Sequence, residues 1–184
     1  MAVLKHTRQT ALELLSDSYR TIPELLALLL LYGYQAQGEL DGNEVLPFDP
    51  DAAMGTIRKF AKPGSIDPIL DFFSELEILT PQWEDRLKNS GTPAFPHNTP
   101  NLIRYFVERY WLQAVSDYDL ACRIKFIVIS CIVICALGGS FLETAQLYSK
   151  EIENSWENVE AILDGAYSNP AFSDDRILGI LMNS

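Results

Sequence analysis

Cysteine, histidine and positive charge are all scarce in this chain, and each shortage removes a class of function. Three cysteines, Cys122, Cys131 and Cys135, lie within or beside one apolar run, which excludes a disulfide framework and points to reduced thiols in a core. Cys131 and Cys135 share a helix face, but a zinc site needs four ligands. Only His6 and His97 could add to them, both distant in sequence, so the thiols are expected to act as small hydrophobes. Lys and Arg number 14 against 25 Asp and Glu, a formal charge of −11, with no basic cluster. Such a surface repels phosphate backbones and anionic headgroups, so neither nucleic acid nor a membrane is expected as a partner. The longest apolar run, Phe126 to Leu137, falls short of the ~20 residues of a membrane span. The first eight residues lack the hydrophobic stretch of a secretory signal, and a cytoplasmic location is expected. Gly-x-Ser-x-Gly, phosphate-binding glycine loops and His-Glu-x-x-His are missing too, leaving no legible nucleophile with its base.

What the chain does have is one stretch with no soluble face. From Phe126 to Leu137 only Ser130 is polar, so the segment must be buried all round. Its Ile and Val content favours a strand, but a strand buried on both faces needs neighbours for its backbone, and only Glu44 to Phe48 looks strand-like. Gly138-Gly139 suits a helix C-terminus. A central helix near residues 119–137 is therefore predicted. Around it the spacing predicts helices over 7–19 (Ala11, Leu12, Leu15 and Tyr19 inward), from Thr21-Ile-Pro-Glu24 through a leucine-rich turn, over 51–61 (Met54, Ile57 and Phe60 inward), from Ser65 to Leu79, and from Thr80 to Lys88. Gly38 to Pro50 is predicted as a loop. Further helices are expected after Thr99-Pro100, from Ser140 to Glu153 with Leu142 inward, from Ser155 with Trp156 inward, and after Ser173. The expected fold is all-α, an irregular bundle of about eight or nine helices. At 184 residues it should form one domain, burying roughly 70% of its unfolded surface, with a potential subdivision at the proline-rich stretch 90–100.

Candidate chemistry is thin. Glu151 and Glu153 stand two apart on a helix and so point in different directions, which argues against an acid/base pair; with Lys150 they read as a solvated face. Arg123 and Lys125 enter the apolar run and should meet carboxylates or carbonyls there, as structural ion pairs rather than an anion site. Tyr105, Tyr110, Trp111, Tyr148, Trp156 and Tyr167 read mainly as core.

From Asn101 onward the order of features resembles the C-terminal region of the flagellin lysine N-methylase family. The resembling parts are Asn101-Leu-Ile-Arg-Tyr-Phe-Val-Glu-Arg-Tyr, the apolar helix with Arg123 and Lys125 at its start, Leu147-Tyr-Ser-Lys-Glu-Ile-Glu-Asn-Ser155, and Asn158-Val-Glu-Ala-Ile-Leu-Asp. Residues 8–31 resemble the helical region before it. Family members carry a cysteine-rich portion holding a metal or iron–sulfur centre, and they methylate flagellin lysines with S-adenosylmethionine. No such cluster occurs here, so the resemblance implies the helical part of such a protein, with no cofactor of its own, supporting a site completed by the cysteine-rich domain and acting on flagellin or another protein substrate. It implies Asn101, Arg104, Tyr105, Lys125, Glu151 and Glu153 as contacts to substrate or cofactor rather than catalysts. Pro100 replaces the acidic residue expected before Asn101, which weakens any polar site at that helix start. Two other readings stay open: a non-catalytic helical protein-interaction module, and a small-molecule enzyme with a pocket lined by Tyr105, Tyr148 and Glu151.

Overall fold

The computed structural model describes residues 1–184 and is helical throughout, with ten α-helices and no strand. They are α1 Ala2–Leu14, α2 Ile22–Leu40, α3 Pro50–Phe60, α4 Asp67–Glu75, α5 Pro81–Lys88, α6 Thr99–Tyr110, α7 Leu120–Ala136, α8 Phe141–Tyr148, α9 Trp156–Ser168 and α10 Asp174–Met182. A short 3-10 turn, Trp111–Val115, follows α6, and a π turn, Ser149–Glu153, follows α8. The all-α bundle predicted from the sequence is therefore present, with ten helices rather than eight or nine.

The seven Ile and Val residues between Ile124 and Cys135 lie in helix α7 rather than strand. Tertiary surroundings overrule local propensity, because α2, α6, α8 and α9 pack around α7 and each turn of its own backbone satisfies itself. Only Ala121 and Lys125 among its residues escape full burial. Its start is capped twice: Asp119 accepts from the Cys122 amide at 3.0 Å, and the Gln37 side chain of α2 accepts from Leu120 and Ala121 at 2.7 and 3.0 Å. At its other end Gly138 and Gly139 take φ of 66° and 77°, the left-handed backbone expected at a helix stop. The proline-rich stretch also contributes, since the Gly91 and Ala94 amides donate to the Ala136 and Cys135 carbonyls at 3.0 Å each. One cluster of 47 buried apolar residues runs from Leu4 to Leu181.

Thr21 opens α2 as its sequence suggests. Its hydroxyl accepts from the Glu24 amide, and the Glu24 carboxylate accepts from the Thr21 amide at 3.0 Å. The Thr21 backbone, assisted by Arg58, holds the Glu24 carboxyl below its usual range. Replacing Thr21 by alanine is expected to cost about 1 kcal/mol, read as a lower urea midpoint; an unchanged midpoint would show that the cap is dispensable.

Several expected orientations fail for identifiable reasons. Helix α1 ends at Leu14, and Tyr19, beyond it in a turn, is 98% exposed. Gly38 lies inside α2, which Gln37 extends by tying itself to the start of α7. Phe60 and Leu142, at the C-terminal end of α3 and the N-terminal end of α8, face outward. Trp156 opens α9 and is 70% exposed, because that helix turns Asn158, Ile162, Gly165 and Ala166 inward. No helix is long and apolar enough to cross a membrane.

Candidate functional site

The family-like segment 147–158 contains the most unusual local structure in the chain. Helix α8 runs from Tyr148 directly into the π turn, and such widened turns are frequent at functional sites. The extra residue per turn alters how successive side chains are disposed. Glu151 and Glu153 indeed point apart, but neither belongs to a solvated face: Glu151 is fully buried and the Glu153 side chain is only 2% exposed. Lys150 alone of the three remains exposed.

Glu151 turns toward the connection between α4 and α5. Its carboxylate accepts from the Leu79 amide at 2.8 Å and from the Thr80 hydroxyl. Thr80 is the N-cap of α5 and also accepts from the Trp83 amide. Asn158 completes the attachment. Its amide nitrogen donates to the carbonyls of Glu77 and Glu151 at 2.9 Å each, and its oxygen accepts from the Glu77 amide at 3.0 Å. Residues 77–80 are thus fixed to the π turn by side chains rather than by regular structure.

Glu153 turns the other way, toward α6. It accepts from the Tyr110 hydroxyl at 2.9 Å and the Tyr105 hydroxyl at 3.1 Å, and pairs with Arg109 Nε at 2.9 Å. Burial raises both tyrosine pKa values, with the Glu153 charge adding to the effect, so the phenols stay protonated and donate. Tyr105 and Arg109 remain partly open to solvent. The cluster can present a guanidinium and a phenol edge while its carboxylate stays covered. Tyr105 and Arg109 stand four apart on one face of α6, a signal visible in the sequence. Arg109 and Tyr110 were nonetheless missed because their partner lies more than forty residues away.

The remaining residues implied by the resemblance do not converge on this cluster. Asn101 is exposed on the first turn of α6, and Arg104 is half-buried there. Lys125 lies where α7 meets α9 and α10, with Nζ 3.0 Å from Asp174 and within 3.2 Å of the Ala166 and Phe172 carbonyls. Arg123 pairs with Asp117 at 2.8 Å and donates to the Asp119 carbonyl. Both cations found the partners that burial demands. The pocket of Tyr105, Tyr148 and Glu151 does not form: Tyr148 and Glu151 are fully buried, Tyr148 bonded to Ser130 at 2.6 Å and Glu151 to the α4–α5 connection, while Tyr105 lies at the surface.

The residues present do not fit a metal or iron–sulfur centre. No three His, Cys, Asp or Glu side chains are placed to share an ion. Burial pushes the Cys122 and Cys135 thiols up to about 12 and Cys131 well above its usual value, whereas a metal needs thiolates. A cavity of about 540 Å³ between α1, α2 and residues 45–50 has Glu13, Glu39 and His6 in its polar lining. Neither Glu151 nor Glu153 lines it.

A scan against protein-family models finds none that matches this chain, and searches of curated proteins and of solved structures likewise return no match.

Proposed function

We propose that this chain is the helical part of a lysine N-methylase-like protein, and that it supports a methyl-transfer site whose reactive groups lie on other residues. One observation carries the reading. The segment on which the resemblance rests most, Leu147 to Ser155 with Asn158, spends five polar side chains on holding the bundle together. Tyr148 bonds α7, Glu151 and Asn158 bond the α4–α5 connection, Glu153 bonds α6, and Ser155 caps α9. Those are the duties of a support. Its solvent-reachable edge, Tyr105 and Arg109 over Glu153, is the place for contact with a completing domain.

The test is incubation with methyl-labelled S-adenosylmethionine and flagellin. The chain alone is expected to transfer no label, and transfer is expected only once a cysteine-rich, metal-loaded domain is joined to it. Labelled lysine produced by these 184 residues alone would overturn the reading. In the joined protein, Arg109→Gln should lower transfer about tenfold if this edge is the contact; about 1.4 kcal/mol of interaction suffices for that.

A second reading, a non-catalytic helical interaction module, is favoured by a separate observation: α9 turns Trp156 and Tyr167 outward.

A further inference from the structure

Trp156 and Tyr167 are 70% and 72% exposed and stand eleven residues apart on α9. At 100° per residue that is three turns plus 20°, so they mark the two ends of one face about 16 Å long. Between them Glu160, Leu163 and Asp164 share that face. Large aromatics exposed on one helix face are usually there to be covered.

The face is concave and electrostatically one-sided. Against the start of α7 it forms a hollow of about 220 Å³, whose lining includes Asp117, Asp119, Glu160 and Asp164 with Arg123 as the one basic residue. That basic residue is already committed, since its terminal nitrogens bind Asp117 and the Asp119 carbonyl. Glu160 and Asp164 carry no ion pair within the chain. One polar atom also lacks a partner: Arg123, 7% exposed, has its buried Nε donating to nothing.

We infer that this face of α9 docks a segment of another protein that presents arginine beside an apolar residue. A guanidinium is planar, weakly hydrated and forked, so it can stack on an indole while pairing with neighbouring carboxylates. Trp156 supplies the stacking surface, and Glu160 with Asp164 supplies carboxylates one helical turn apart. Leu163 takes the apolar side chain. A lysine ammonium would find the charge but not the fork, and the neutral citrulline isostere would keep the planar shape but lose the charge. The inference stands on α9 whichever of the two readings above holds, and binding is measured independently of methyl transfer.

The tryptophans provide the readout. Trp83 and Trp111 are fully buried, so a change in quenching by acrylamide reports Trp156. Titration with a capped Gly-Arg-Leu-Gly-Arg-Gly peptide should give saturable protection and a blue shift at moderate salt. The citrulline version should bind about tenfold more weakly, and the lysine version about threefold more weakly. The double variant Glu160→Gln with Asp164→Asn, both exposed positions, should lose about tenfold in affinity at unchanged melting temperature. No protection, equal binding of the citrulline or lysine peptide, or undiminished binding by the double variant would each overturn the inference.

Discussion

Glu151→Ala is expected to lower the unfolding free energy by about 3 kcal/mol, well beyond what its own interactions contribute net. A buried carboxylate costs several kcal/mol to desolvate, and no cation lies close enough to pair with Glu151. Two hydrogen bonds to a charged acceptor return roughly 1.5 to 3 kcal/mol each. Gain and cost nearly cancel. Truncation is different because it removes the acceptor and leaves the donors. The Leu79 amide and Thr80 hydroxyl, which now donate to Glu151, would be stranded at about 1 to 3 kcal/mol each, next to a cavity. Glu151→Gln retains one acceptor and should lose about half as much. Urea unfolding of both variants tests the argument; a loss under about 1 kcal/mol for alanine would mean that water or backbone movement replaces the carboxylate.

Gly33→Ala should destabilise by about 2 kcal/mol even though alanine is the better helix former. Propensity favours alanine by about 1 kcal/mol. Against that, a Cβ at Gly33 would lie 2.6 Å from both Cγ atoms of Ile124. Ile124 is β-branched and buried, and its single preferred rotamer in a helix leaves it nowhere to swing. The two helices must separate or the core must strain, at a cost of typically 1 to 3 kcal/mol or more. Ile124→Ala is itself a core truncation, yet combined with Gly33→Ala it should cost about 1 to 2 kcal/mol less than the sum of the single changes. Strict additivity in that double-mutant cycle would show that the helices do not meet there.

The parts of this fold legible in the sequence are those governed by one strong local rule. Phe126 to Leu137 had to be interior because no rotation gives it a polar side. Thr21 and Glu24 marked a helix start because capping is a four-residue event. Arg123 and Lys125 had to find oxygen because a charge entering a core must. The candidate site was less legible for an equally physical reason. Reading Glu151 and Glu153 as solvated assumed ordinary helical winding, and the π turn breaks it. Their partners, Thr80 and Tyr110, lie 71 and 43 residues away, beyond any periodic pattern. Helical spacing puts Trp156 in line with Val159, Ile162, Leu163 and Ala166; the inward arc of α9 is instead set by Ile162 and by Gly165, where an added Cβ would lie 2.8 Å from Phe172.

The pairing of Gly91 and Ala94 with the last carbonyls of α7 bears on how the chain reaches this state. The stretch that looks most like a tether is the lid on the most apolar rod in the molecule, and it is made before that rod is. During synthesis it emerges with its two amides idle and waits some forty residues for the carbonyls they will bind. A nick between residues 90 and 95 would therefore do more than cut a strap: it would uncork the greasiest end of the bundle to water.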